Sequence, residues 1–398
     1  MSNTLLTVDQ ITKVAAVDFM DAMPFIKSLT RRYDDSFANK GAQIGDTLRV
    51  RLPQDYSVID DNLDITSANK DTVQRKRSFQ LAYTETVPMS FTTAEMTLSI
   101  ENFREQFIKP AAHKMGRKVE ARALAIAAKA TPNAVGTRGT TPTAIKTFLS
   151  GRQKVYEHRS PDDMLNSVVN PATMTEIADS TKGLFVDAVN KQYAQGQVYR
   201  AMGSDFLLTN TFYTHTNGSN TSGTTNAANQ GITTGWTEYT DLTITGTVAF
   251  KAGDIVTIQD VNATVPGTAD SLGYLRQFVV LADAPSTTLR VSPAIISGGP
   301  YQNVDARAGT GKTITLLGSN SVASPESLVY HKDAFVFGMA DLTTDGAIES
   351  SRFSDPDSGI SIALVKGMDI QTRAVIWRLD CIWGLLPYMP EWACRVVG

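Results

Sequence analysis

The stretch closest to a catalytic motif is Arg307-Ala308-Gly309-Thr310-Gly311-Lys312-Thr313, which ends as a phosphate-binding loop ends. In such a loop, glycines let backbone N–H groups approach the phosphates, and the Lys and Thr complete the cradle. The full pattern places a glycine five residues before Gly311, where this chain has Ala306. It also needs a following helix whose N-terminus faces the anion. Here Ile314-Thr315-Leu316-Leu317 continues as a strand and Gly318 ends it, so a basic turn between strands is the better reading. The four histidines, His113, His158, His215 and His331, are scattered without metal-ligand spacing. His158 falls at a helix end, where a positive charge suits the dipole. There is no nucleophile elbow and no Cys-x-x-Cys pair. Asp60-Asp61 and Asp162-Asp163 are adjacent in sequence, which does not make their side chains converge on a substrate. The residues therefore ask for no catalysis, no metal and no cofactor.

The bulk properties narrow the class further. A chain of 398 residues allows two or three domains with real cores. Its formal net charge of −3 argues against strong nucleic-acid binding, which needs clustered positive charge. The N-terminus reads as an amphipathic helix interrupted by Asp9, Lys13, Asp18 and Asp21, not as a signal peptide. No stretch approaches the roughly 18–20 apolar residues that span a membrane. Without an export signal, Cys381 and Cys394 read as two buried free thiols, and the chain reads as soluble and cytoplasmic at synthesis.

The elements are organised around Ser99 to Ala130. Ile100, Phe103, Phe107, Ala111, Met115, Val119, Ala123 and Ile126 recur at steps of three and four, so they share one helical face. Glu101, Arg104, Glu105 and Lys109 lie on the opposite face, suited to water or a polar partner. Pro110 predicts a short helix over 99–109, a kink, and a main rod with the proline in its first turn. Upstream, Thr47–Leu52 and Val73–Val87 read as two strands flanking a polar middle that holds Asp55, Asp60, Asp61, Asp64 and Asp71. That is a protruding two-stranded loop, which buries too little to stand without a neighbour. A capping box at Thr92–Glu95 starts the helical region. Downstream, 131–141 reads as a loop, 143–158 as a helix, 165–169 as a strand, 172–180 and 186–194 as helices, and 206–208 as a strand. From Thr209 to Gly235 the chain is mostly Thr, Asn, Gly and Ser and reads as a connector without a core. Short strand-like runs over 242–317 then suggest a small all-β barrel or sandwich, which is expected to fold by itself. The chain closes with TRAVIWRLDCIWGLL, whose Arg373, Val375, Trp377, Leu379, Cys381 and Trp383 share a face.

Several of these segments together carry a resemblance: MTLSIENFREQFIKPAAHKM at 96–115, LNSVVNPATMTEI at 165–177, AQGQVYRAMGSDFLLTN at 194–210, KAGDIVTIQDVNA at 251–263, LRQFVVLADA at 275–284, SLVYHKDAFVFGMADL at 327–342 and the closing PEWACRVVG. The chain resembles the major capsid proteins of tailed double-stranded-DNA bacteriophages, in the branch with a β-rich insertion domain. The resemblance implies the α+β capsid fold shared by tailed phages and herpesviruses. Its parts map as an N-terminal arm at 1–45, an E-loop at 46–90, the spine helix of the peripheral domain within 91–130 and an axial domain at 131–210. A linker at 211–235, the insertion domain at 236–318, the axial return at 319–342 and peripheral strands at 343–398 complete the map. It further implies a non-enzymatic coat subunit that assembles as hexamers and pentamers into an icosahedral procapsid around double-stranded DNA. The DNA lies on the inner face without sequence specificity, a portal protein occupies one vertex, and no membrane takes part. Because this chain begins directly at the arm, the scaffolding protein is expected to be separate. Its location is then the virion, and the host cytoplasm before assembly. Lys70 lies in the E-loop, but no motif marks it for the Lys–Asn crosslinking of some relatives. The alternatives are an encapsulin-like compartment shell, which would lack the insertion domain, and an NTPase built on the incomplete loop at 307–313.

If the chain is a shell subunit, the E-loop supplies the candidate inter-subunit contacts. Its tip carries Asp60, Asp61 and Asp64, and its returning strand carries Arg75, Lys76 and Arg77. The expectation is that the acidic tip of one loop rests on basic side chains of an adjacent subunit, Arg75 to Arg77 among them. Each exposed pair contributes little alone, and a closed shell repeats it many times.

Overall fold

The structure is a computed structural model that describes residues 8–31, 47–56, 73–92, 104–181, 200–201, 203–246, 248–284, 287–342, 349–355, 359–368 and 374–398. It is α+β and divides into two compact units. The first comprises Met1–Arg49, Ser78–Leu124 and Phe335–Leu386, and the second Val50–Arg77, Ala125–Ala334 and Pro387–Gly398.

In the first unit, the long strand Ala374–Pro387 pairs antiparallel with Tyr83–Thr92 and with Ile360–Met368. Glu349–Asp355 extends that sheet beyond Ile360–Met368, and Phe335–Ala340 adds a further strand. Alternation buries Val375, Trp377 and Leu379, as the period of two requires, and from Asp380 to Leu386 both faces of the strand are buried, Cys381 and Trp383 included. Trp383 stacks with Phe337 at 5.9 Å and lies 4.9 Å from Tyr83. The helix Val8–Asp21 covers strands 349–355 and 360–368 and buries Ala15, Ala16 and Phe19 completely.

The long rod consists of a π turn, Arg104–Ile108, followed by the α-helix Lys109–Ala130, with Pro110 second in that helix. The proline, which has no N–H to give to the preceding turn, thus falls at the junction of π turn and α-helix. Around the junction of π turn and α-helix, burial departs by one position from the expected face. Ile108 and Ala112 are buried, whereas Phe107 is 37% exposed and Ala111 half-buried. Ala112 lies three residues before Met115 and Ala111 four, both steps along one helical face, and Ala112 is the one turned to the core. From Met115 through Val119 to Ala123 the predicted face is the buried one. Gly116 sits where the rod crosses the first helix, and a Cβ there would meet the Phe19 carbonyl oxygen at 2.8 Å. Glu120 is buried on the same face and accepts the Phe25 N–H at 3.2 Å.

In the second unit, a seven-stranded mixed sheet has Ala323–His331 at its centre. That strand pairs antiparallel with Ala393–Val397, Leu165–Val169 and Tyr213–Thr216. Asn133–Gly136 adds in parallel beside Ala393–Val397, so the segment read as a plain loop supplies an edge strand. Helices Ile145–Glu157 and Pro171–Thr181 contribute Phe148, Met174 and Ile177 to a core with Val169, Phe206, Val329 and Val396. The Asn170 side chain caps the second of these helices by accepting Thr173 N–H at 2.7 Å.

The same unit holds a barrel. Six strands run in the order 240–243, 288–292, 271–280, 255–264, 313–316, 222–224. The two edges then meet, with Asn226 N–H donating to Thr243 O at 2.9 Å and Thr245 N–H to Thr224 O at 2.8 Å. The interior is apolar, with Phe250, Val256, Ile258, Phe278, Val280, Leu289 and Ile314 among its buried residues. The segment 211–235, expected to be a linker, is built into these sheets through strands 213–216 and 222–224. Its Thr, Ser and Gly residues add backbone hydrogen bonds and need no apolar side chains to do so.

Candidate functional site

The candidate contact residues of the returning strand lie at the base of the two-stranded stem, where Thr47–Arg51 pairs with Lys76–Gln80. Alternation puts Arg75 and Arg77 on one side and Lys76 on the other. Arg75 donates to the Pro53 carbonyl, with Nε at 3.0 Å and Nη2 also in contact. Its guanidinium also lies 4.6 Å over the Tyr301 ring. Tyr301 in turn donates to Val73 O at 2.9 Å and accepts the Asp55 N–H at 3.2 Å. Arg77 Nη1 bonds Glu238 at 3.1 Å and the Pro387 carbonyl at 3.0 Å, and burial lowers its pKa. These side chains line a cavity of about 90 Å³ together with Trp236, Tyr301 and Pro390. Only Lys76 of the three is exposed. The run therefore does not form one basic patch: two members anchor the stem internally and one faces solvent. Asp60, Asp61 and Asp64 lie outside the described residues.

Sequence reading missed a second charged region, which joins the barrel to the body sheet. Glu326 and Arg395 are diagonal neighbours on paired strands, and both side chains are fully buried. Arg395 Nη1 lies 3.2 Å from one Glu326 oxygen, and Arg138 Nη2, also fully buried, lies 2.9 Å from the other. Arg395 also donates to Gly253 O at 2.8 Å and to Thr131 O at 3.1 Å. Beside it, buried His215 and Asp254 share a hydrogen bond at 2.8 Å, and Asp254 also accepts N–H bonds from Gly218 and Lys251. Gln277 accepts from Ala134 N–H at 2.9 Å and from Lys154 Nζ at 2.6 Å. The only cue to these partners was the presence of charges inside otherwise apolar runs, such as Arg395 in ACRVV and Glu326 before SLVYH.

His158 corrects a sequence expectation. It ends the helix Ile145–Glu157, but it is buried, and Arg276 Nη1 lies 3.1 Å from its Nε2. Burial, then the Arg276 charge, hold its pKa well below 6.5, so it is neutral rather than a cation on the helix dipole. Both cysteines are free and buried, with thiol pKa values pushed up to about 12 by desolvation. Lys312 pairs with Asp260 at 2.6 Å, and strand Thr313–Leu316 follows it directly, so the glycine turn has no helix N-terminus to offer an anion. Among the described residues, no group of three or more His, Cys, Asp or Glu side chains is placed to hold a metal, and no helix is long and apolar enough to cross a membrane.

No curated protein matches this chain by sequence. Among solved structures, it is similar to a chain of Mycobacterium phage Che8 at 8% identity and a TM-score of 0.47, covering 94% of this chain and 90% of that one. It is also similar to the capsid structure of the cyanophage P-SCSP1u at 10% identity and a TM-score of 0.46, covering 94% and 87%. The CUS-3 coat protein I-domain aligns at 25% identity and a TM-score of 0.21, covering 25% of this chain and 96% of that one. The family described as "P22 coat protein - gene protein 5" matches residues 4–397. The match spans nearly every residue, and the chain belongs to the P22 coat protein family.

Proposed function

We propose that this major coat subunit assembles as hexamers and pentamers into an icosahedral procapsid around a separate scaffolding protein. A portal protein takes one vertex, and double-stranded DNA fills the shell. Residues 1–45 act as the arm, 46–90 as the E-loop, and 236–318 as an insertion that braces the subunit. The observation that carries this reading is the family match over residues 4–397. The stem geometry supports it: Arg75, Arg77 and Tyr301 fix the base of the loop to the body of its own subunit, so the tip can project with a defined origin. The proposed inter-subunit contact narrows accordingly to Asp60, Asp61 and Asp64 of one subunit and exposed lysines of the next, Lys76 among them, because Arg75 and Arg77 already have partners. The test is co-expression with the neighbouring phage proteins, followed by electron microscopy of the particles. Closed shells are expected from the wild-type chain. Reversing the three tip aspartates to Lys is expected to abolish them while leaving the subunit's melting temperature unchanged. Subunits that never close, with any phage partner, refute the assembly reading, and normal shell yield from the reversed tip at low salt refutes the contact.

A further inference from the structure

The rod's solvent face carries a feature that the net charge conceals. Between Lys109 and Arg122 the sequence holds Lys109, Lys114, Arg117, Lys118 and Arg122 against a single acid, Glu120. That acid is fully buried and already accepts Phe25 N–H. The five cations are exposed. Arg122 pairs with Glu85 at 3.0 Å, whereas Lys109, Lys114, Arg117 and Lys118 have no acidic partner among the described residues. At about 100° per residue, Lys114, Arg117 and Lys118 fall within roughly a third of the helix circumference. They lie opposite the buried side chains of Met115, Val119 and Ala123. Unpaired like charges at i, i+3 and i+4 cost the isolated helix stability, so this arrangement calls for an external counter-charge.

We infer that this face of the rod is a contact surface for duplex nucleic acid, gripping the phosphate backbone without reading sequence. The inference rests on the coat-protein reading and adds to it which residues meet the packaged polymer, placing the rod's basic face toward the lumen. Three properties favour a duplex over a protein partner. Successive cations at i and i+4 rise about 6 Å along a rigid rod. A duplex presents one charge per ~1.7 Å of its axis, so such a row finds phosphates in any register. A peptide docked along a helix needs apolar anchors. Between Lys109 and Arg122 the exposed residues are charged apart from Pro110. No Asn or Gln lies in that span to read adenine edges. The near-neutral whole chain then gives weak, salt-sensitive contact at one localised stripe.

The experiment measures binding of the purified full-length subunit to a 30-base-pair duplex of random sequence, by fluorescence anisotropy between ~50 and ~200 mM salt. The triple variant Lys114→Gln, Arg117→Gln, Lys118→Gln is expected to flatten the log K against log salt slope by about 2.7. A control that removes the same charge elsewhere, Lys146→Gln, Lys251→Gln, Lys332→Gln, is expected to leave the slope unchanged. Should the triple variant fold poorly, the double Lys114→Gln, Lys118→Gln reads the same effect at about 1.8. An unchanged slope in the stripe variants, or an equal loss in the control, overturns the assignment. Poly-glutamate that displaces the duplex at equal charge gives the face to an acidic polypeptide and overturns it too. Shell formation, scored separately by electron microscopy, is expected to survive in the stripe variants. Failure of the wild-type chain to form shells counts against the coat reading and leaves the binding result standing.

Discussion

Glu326 is the position where a single atom's change should matter most. Its carboxylate is fully buried between two fully buried guanidinium groups, Arg138 at 2.9 Å and Arg395 at 3.2 Å. Glu326→Gln keeps the volume and removes the charge, leaving two cations without their shared counter-ion. Breaking a buried pair in this way costs about 3–5 kcal/mol, because the remaining charge stays desolvated. The two cations are not equivalent. Arg395 has carbonyl partners in Gly253 and Thr131, whereas Arg138 Nε and Nη1 find no acceptor among the described residues, and burial lowers the Arg138 pKa. Arg138→Met therefore removes the less well satisfied of two cations competing for one carboxylate. It should cost about 1 kcal/mol or less, since replacing buried charge by apolar volume is often neutral. Urea unfolding of the purified subunit, followed by tryptophan fluorescence, separates the two. With a slope of about 3 kcal/mol per molar, Glu326→Gln should lower the midpoint by about 1–1.7 M and Arg138→Met by about 0.3 M or less. Equal losses in the two variants, or a wild-type midpoint for Glu326→Gln, would refute the view that one carboxylate holds the joint between barrel and body.

Two further outcomes follow from buried groups. His158 has a folded pKa well below 6.5, so below pH 6.5 the unfolded chain binds a proton that the folded chain does not. Stability from this group is complete above that pH and falls by up to ~1.4 kcal/mol per pH unit beneath it. Urea midpoints from pH 7.5 to 5 should drop more steeply for wild type than for His158→Gln, and parallel curves would exclude the effect. Gly116→Ala gains about 1 kcal/mol of helix propensity but puts a Cβ 2.8 Å from the Phe19 carbonyl and 3.0 Å from the Ala22 Cβ. Overpacking at backbone costs about 1–3 kcal/mol, so a lower melting temperature is expected, and a raised one would show that the two helices can separate without penalty.

What the sequence made legible was whatever depends on local period. The strand over 374–387 buries every second residue from Val375 to Leu379, and the barrel strands fall where Gly and Pro turns divide short β-branched runs. What it hid depends on partners distant in the chain. Asn133–Gly136 becomes a strand only because Ala393–Val397, some 260 residues later, offers a free parallel edge. The polar stretch 213–224 looks coreless alone, and it is ordered by carbonyls and amides of strands 313–316 and 323–331. Of the candidate contacts, Arg75 and Arg77 differ from Lys76 only through Tyr301, Glu238 and Pro387, none of which neighbours them in sequence.

The rod shows the limit most sharply, because its period was visible and its phase was not. Steps of three and four residues carry an apolar face from Phe103 to Ile126, yet at the junction of π turn and α-helix the buried residues are Ile108 and Ala112 rather than Phe107 and Ala111. No residue type announces a π turn, and one extra residue in a turn is a tertiary choice, stabilised by what the rod packs against. The charged side was hidden as well. Counting from the N-terminal end, the polar face runs through mixed charges, Glu101, Arg104, Glu105 and Lys109, and reads as neutral to its partner. Counting from the α-helical phase after Lys109, the one acid turns inward to cap a backbone N–H, and the exposed ridge is cationic throughout. A chain of net charge −3 can thus present a basic edge, because burial removes Glu120 from the balance that composition records.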